Sequence, residues 1–299
     1  MEFLNIVISN PAEIFIRGGQ LIIRQAEDVS VPVEDLCTLM IECLQVTISA
    51  AALDILAVQG VTVFICDNSH LPSAQLLPFH QYSRQRKLLQ AQFELPKPTK
   101  KRIWQAIVQE KIRNQARCLK ILDRRGSAEL EKLASSVRSG DTDNREAVAA
   151  AFYFKCLFGE NFTRSSDCLV NTALNYGYSI LRGSIARNLV LHGLDPAIGI
   201  FHHSELNSFN LADDVLEPFR PLVDLFVASQ NYGEETELRP PEKHKILNLT
   251  NYMLLQNNQR IRTMTSVDRT TASLSTCISE QRQDISLPQL IALEEYGCE

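Results

Sequence analysis

Residues 95–99 read Leu-Pro-Lys-Pro-Thr, and no helix can run through them. Each proline removes a backbone N–H and its ring crowds the preceding turn, so the chain must break there. Before residue 78 the text consists of short runs dense in Ile, Val and Phe, at 4–9, 13–17, 20–24 and 61–66. Such runs have the length and composition of strands. Gly18-Gly19 separates two of them and predicts a tight hairpin, since both residues can take φ > 0. One helix is predicted among these strands, with Ser49 as its cap, residues 52–59 as its apolar repeat and Gly60 as its stop.

After the prolines the period becomes helical. Residues 101–122 set Ile103, Ile107, Ile112, Leu119 and Leu122 among cations, with Trp104 beside them. Asp143 or Asn144 is placed to cap a helix over 145–158. Residues 171–192 and 210–230 predict two further helices. From 231 the text is polar, with 232–244 expected to be a loop and the Ser/Thr/Arg-rich tail over 258–286 expected to be partly mobile. The fold class is α+β: a β-rich docking or dimerisation domain over 1–78, a linker over 79–98 and an all-α domain over 99–299.

Composition removes several classes. With 45% hydrophobic and 22% charged residues the chain is neither collagen-like nor disordered. No run reaches the roughly 18 apolar residues of a membrane span. The N-terminus has no basic segment followed by an apolar one, so a cytoplasmic protein with no membrane partner is expected. Eight cysteines without a C-x-x-C pair read as core thiols, not as a disulfide frame or zinc site. The net charge of −5 hides an asymmetry. Between His80 and Arg125 lie 13 Lys/Arg and three acids, a local +10 that leaves −15 elsewhere. Either a solvated helix face or a polyanion-binding face accounts for such a stretch.

Three segments carry side chains suited to chemistry. In 141–150 (DTDNREAVAA), Glu146 lies in the first turn of a helix, where the dipole alone favours a carboxylate. In 199–210 (GIFHHSELNSFN), His202 and His203 are adjacent, so at most one of them faces a common site. In 211–224 (LADDVLEPFRPLVD), Asp214 and Glu217 share a helix face, and Pro218 restricts Glu217. Two carboxylates with one imidazole suit Mg²⁺ or Mn²⁺, which act on phosphate esters.

Taken in order, N-R-E, N-T-A-L-N-Y-G-Y-S-I-L, G-I-F-H and F-N-L-A-D-D-V-L-E-P-F-R-P-L-V-D resemble the catalytic integrase subunit of CRISPR adaptation, most closely its type II version. V-F-I-C-D followed by L-P-S-A-Q-L-L-P-F resembles the end of that family's β domain. The resemblance implies an N-terminal β-sandwich and a helical catalytic domain. It further implies Glu146, His202 and Glu217 as catalytic metal ligands, with Asp214 as a supporting acid. His202 is preferred over His203 because it closes G-x-x-H, and many relatives carry aspartate where Glu217 stands. Asn171, Tyr178, Arg182 and Arg187 would line a DNA path, with Lys100, Lys101 and Arg102 as a second DNA contact.

The implied reaction is metal-dependent strand transfer and endonuclease cutting, in which a spacer 3′-hydroxyl attacks a repeat phosphodiester. Implied partners are double-stranded DNA (the prespacer and the CRISPR repeat), a second copy of the chain and a small ferredoxin-like subunit bridging two dimers. A ring-shaped DNA-end binder and an RNA-guided effector nuclease accompany type II relatives. Two other readings remain open at this stage: a catalytically idle DNA-binding scaffold, and a metal-dependent phosphohydrolase with a small substrate.

Overall fold

The structure, a computed structural model, describes residues 4–68, 72–77, 85–230, 232 and 237–295. Strands β1 (Leu4–Ile8), β2 (Ala12–Arg17), β3 (Gln20–Arg24), β4 (Asp28–Pro32), β5 (Leu36–Ile41) and β6 (Val46–Ile48) precede helix α1 (Ala50–Val58). Strands β7 (Thr62–Cys66) and β8 (Pro72–Gln75) follow it. They form two four-stranded sheets, ordered β1-β5-β7-β8 and β4-β3-β2-β6. The two sheets enclose a core of Ile8, Leu39, Ile41 and Val63 against Ile14, Leu21, Ile23 and Val31, with Leu56 of α1. This is the expected sandwich.

Local chemistry sets its turns. Gly18 and Gly19 take φ of +61° and +78°, which closes the β2–β3 hairpin in the expected way. Ser49 Oγ accepts the Ala52 N–H at 3.2 Å to start α1, and Gly60 at φ +80° follows its end.

The first sheet is covered on both faces. Met40, Phe64 and Cys66 point away from the sandwich and join the helical core. The Tyr176 hydroxyl lies 2.9 Å from Met40 Sδ. Phe64 packs so closely on Gly183 that a Cβ there would overlap its ring. Only glycine fits against that ring.

The second part comprises α2 (Gln85–Phe93), α3 (Lys97–Ile121), α4 (Ser127–Ser136), α5 (Arg145–Phe158), α6 (Leu169–Leu191), α7 (Asn210–Leu216), α8 (Arg220–Ser229) and α9 (Pro240–Leu247). Strands β9 (Met253–Gln256) and β10 (Gln259–Arg262) and helix α10 (Thr263–Glu280) complete it. Pro96 caps α3 and Pro98 sits in its first turn, where an absent N–H costs nothing. The 25 residues of α3 span about 37 Å and form the axis on which α4, α5 and α8 pack. Helix α2 lies within the segment read as linker, of which residues 79–84 lie outside the described residues.

Several expectations are corrected. The tail over 258–286 is not loose: it contributes β10, α10 and a following segment that pairs back on β9 through Leu255 and Gln289. Its Ser and Thr side chains are largely inward, and their hydroxyls are satisfied internally. Ser266 donates to Gln256, Thr271 to the Val267 carbonyl and Ser275 to the His192 carbonyl. The β9–β10 hairpin is thus a strand pair inside the region expected to be all helix. In the expected loop over 232–244, Pro240 and Pro241 open α9; residues 233–236 lie outside the described residues. Neither Asp143 nor Asn144 caps α5 through its side chain. Asp141 does, accepting the N–H groups of Arg145 and Glu146 at 2.8 and 3.0 Å.

Candidate active site on helices α3, α5 and α7

Glu217 stands at a joint. Pro218 lacks an N–H, so the 210–230 helix is interrupted by a 3-10 turn over Glu217–Phe219. Asn114 of α3 holds this turn by donating to the Pro218 carbonyl at 2.7 Å. Glu217 is thereby buried against α3, where Arg220 Nε donates to its Oε1 at 3.0 Å.

Lys111, counted among the cations of the basic stretch, is buried beside it. Its ammonium lies 2.6 Å from Glu146 Oε1 and contacts Glu217 Oε2. Glu146 and Glu217 therefore converge on one cation. Burial works against the Glu217 anion, yet Arg220 and Lys111 hold its carboxyl below the usual range. Burial likewise opposes the Lys111 ammonium, and Glu217 and Glu146 raise its pKa nonetheless.

His202 is fixed by Asp214. This fully buried carboxylate accepts the N–H groups of Ile200, Phe201 and His202 at 2.6, 3.0 and 3.2 Å, and lies 2.7 Å from His202 Nδ1. These four contacts fill its acceptor sites, leaving none for a cation. Asp214 supports the loop and the ring orientation, and Nε2 is left for the site. The hydrogen bond to Asp214 raises the His202 pKa, and the charges of Glu217 and Glu146 add to it. His203 is exposed and turns its Nδ1 to the Phe201 carbonyl at 2.7 Å.

Among the described residues no three His, Cys, Asp or Glu side chains stand at metal-binding spacing, and Lys111 is interposed between the two glutamates. The donor chemistry nevertheless fits a hard divalent cation. Two carboxylates already share a positive charge, and buried Glu217 Oε2 meets that charge without an aligned hydrogen bond. A metal at this place would take over the position of the ammonium.

The expected DNA-path residues fall in different settings. Tyr178 and Arg182 line a cavity of about 250 Å³ with Asn175 and Arg220, adjoining the Glu217 joint. The Tyr178 hydroxyl donates to buried Asp224, and its ring lies under the Arg220 and Arg164 guanidinium groups. Asn171 is buried and ties the 163–166 loop to α6 by donating to the Thr163 and Ser166 carbonyls. Arg187 is buried with its guanidinium against Gly60 of the sandwich, so it is not brought to the site. Lys100, half-buried, and the exposed Lys101 and Arg102 occupy the opening turns of α3, about 15 Å along the helix from Lys111. Arg102 donates to Gln283. The basic stretch is not a single face: Lys111 is internal, and Arg113 and Arg117 pair with Glu110. Arg84 lies outside the described residues.

Sequence reasoning did not single out Lys111, Arg220 or Asp224. Lys111 had a legible signal: it interrupts the apolar stripe of Ile103, Ile107 and Cys118 on the buried face of α3.

The model of the family described as CRISPR associated protein Cas1 matches residues 6–239. The CRISPR-associated endonuclease Cas1 of Neisseria meningitidis serogroup C (strain 8013) is 41% identical over 307 residues, with all of both chains covered. A casposase bound to integration product shares the fold at a TM-score of 0.77 and 19% identity, over 95% of this chain and 92% of that one. A chain of a Cas6-RT-Cas1–Cas2 complex does so at a TM-score of 0.69 and 18% identity, over 95% of this chain and 36% of that one.

Proposed function

The chain belongs to the CRISPR-associated Cas1 family, and from that premise we propose that it is a metal-dependent DNA endonuclease and strand-transfer integrase that inserts new spacers into a CRISPR array. The observation that carries this reading is the convergence of Glu146 and Glu217 on one cation beside a histidine locked by Asp214. Glu146, His202 and Glu217 would hold Mg²⁺ or Mn²⁺, which when bound neutralises charge on the phosphate under attack. In strand transfer, the oxygen of a spacer 3′-hydroxyl forms a bond to a repeat phosphorus as the bond to the leaving 3′-oxygen breaks. The hydroxyl proton passes to solvent and the leaving oxygen takes one up, so phosphodiester number is conserved and no energy source is needed. With water as nucleophile the same site cuts.

The residues of this chain divide that work. Asp214 fixes the imidazole, the Asn114–Pro218 hydrogen bond fixes the Glu217 joint, and Arg220 keeps Glu217 ionised. Arg182 and Arg220, at the adjoining cavity, offer cations to the DNA backbone. Partners consistent with the family and its type II resemblance are a second copy of this chain and a small ferredoxin-like subunit bridging two dimers. A ring-shaped DNA-end binder and an RNA-guided effector nuclease complete the set.

One observation favours a catalytically idle DNA-binding scaffold: Lys111 pairs with both glutamates without a metal. Incubation with prespacer DNA and a supercoiled plasmid carrying a repeat, with and without divalent metal and the partner subunit, separates the two readings. Metal-dependent joined product is expected; retained duplex binding with neither joining nor cutting under any metal would overturn the enzymatic reading.

A further inference from the structure

We propose that Phe201 is a stacking platform for an unpaired nucleobase next to the phosphodiester held in the site, an assignment that rests on the DNA reading above. The Phe201 ring lies flat on Trp104, with centroids 4.3 Å apart and planes 2° from parallel. Trp104 is buried, whereas Phe201 is 44% exposed, so one ring face is supported and the ring still presents area to solvent. Its other constraints come from the site itself. The Phe201 N–H donates to Asp214 at 3.0 Å, and the His202 ring stands edge-on to it, at 5.4 Å and 85°. The ring therefore needs no ordering when a ligand arrives.

A rigid aromatic plane suits another flat π-system, and every base has one. The Phe201 ring centroid lies only 5.4 Å from that of the proposed ligand His202, so the two rings share the site. A base on this plane belongs to a nucleotide flanking the reacting phosphate. Base pairs stacked within a duplex have no free face, so the platform selects a strand whose end is unpaired. Simple cover for Trp104 would require only an apolar side chain, which leucine supplies.

The test uses full-length protein as wild type, Phe201→Leu and Phe201→Tyr, with duplexes whose single-stranded 3′ end carries 2-aminopurine at successive nucleotides. Fluorescence quenching at one position is expected with the wild type and Phe201→Tyr and is lost with Phe201→Leu. An abasic site at that position should weaken binding about tenfold for the wild type and Phe201→Tyr, with that penalty absent in Phe201→Leu. Equal quenching in Phe201→Leu, or quenching nowhere while strand transfer by the wild type proceeds, would overturn the platform. So would a Phe201→Leu defect equal on base-bearing and abasic DNA, which would mark the ring as cover for Trp104. Wild type that neither cuts nor joins DNA with any divalent metal would overturn the enzymatic reading and the platform with it.

Discussion

The Lys111 ammonium lies 2.6 Å from Glu146 Oε1, and the same ammonium touches Glu217, so a helix α3 cation occupies the point where the proposed metal ligands meet. Two carboxylates facing one another, Glu217 buried and Glu146 half-buried, repel unless a positive charge stands between them. Lys111 supplies it within the chain itself. Folding can therefore assemble the site before any metal arrives.

Lys111→Met should consequently destabilise the metal-free protein, by about 3 kcal/mol, since removing one partner of a buried pair leaves the other charges unpaired. Mg²⁺ or Mn²⁺ should restore more stability to this variant than it adds to the wild type. Thermal unfolding in chelator and in excess metal measures both. A loss of melting temperature that metal does not reduce would show that the glutamates do not share a divalent cation.

Glu146→Ala, His202→Ala and Glu217→Ala should each lower strand transfer by at least about a hundredfold while DNA affinity changes little. His203→Ala should be far milder, because that ring is exposed and turned to the Phe201 carbonyl. Joining assays on the repeat plasmid decide the register. Full activity without His202 and loss without His203 would reverse the assignment.

Asp214→Asn keeps the shape of the carboxylate but only one acceptor oxygen, where Asp214 takes three N–H groups and the imidazole. The loop should loosen, costing about 2–3 kcal/mol of stability, and Mn²⁺ affinity should fall about 10–100-fold. Titration of Mn²⁺ by electron paramagnetic resonance separates this from a direct ligand's effect. Unchanged affinity in a folded variant would leave Asp214 a purely structural acid.

Much of the sandwich was legible because its strands alternate or sit beside glycine turns, as β2 and β3 do around Gly18-Gly19. Strand β5 was not, since Leu36–Ile41 is covered on both faces and its near-continuous apolar text has no period. Helix α10 was hidden for the opposite reason. Thr270, Thr271 and Ser275 read as solvent-facing, and burial with their hydroxyls bonded inside cannot be told from exposure by composition. At the site, the three segments drew attention to Glu146, the His202–His203 pair, Asp214 and Glu217, and the family resemblance alone chose Glu146, His202 and Glu217 as ligands. The partners that set their charge, Lys111 and Arg220, come from tertiary packing of α3 and from the turn at Pro218. Arg187 shows the converse: a cation in the helix that the resemblance set along a DNA path, which packing carries into the boundary with the sandwich.

Charge reversal at Lys100, Lys101 and Arg102 should weaken duplex binding across all sequences and flatten its dependence on salt, because every phosphate left without a cation keeps its own condensed counterion. Lys101 and Arg102 are exposed and have no acidic ion-pair partner among the described residues, although Arg102 also holds Gln283. Binding isotherms across a salt series give the slope. An unaltered slope would move the DNA backbone to Arg182 and Arg220 at the cavity beside the site.

Stability should also depend on pH through Asp224 on α8. This carboxyl is wholly buried, and burial pushes its pKa up to about 6 from 3.8, despite the Tyr178 hydroxyl bonded to it. Its pKa is raised on folding, so the folded state keeps the proton over a range where the unfolded chain has released it. Stability from this group is thus greatest below about pH 3.8, falls as pH rises to about 6 and is level above that. The span corresponds to about 3 kcal/mol. Asp224→Asn cannot ionise and should lack this fall. Chemical denaturation of wild type and variant between pH 4 and 7 should show the wild type losing ground steadily to the variant up to about pH 6, then holding a constant difference. A difference that does not vary with pH would mean that Asp224 ionises in the fold as it does in water, with Arg220 and Arg164 outweighing its burial.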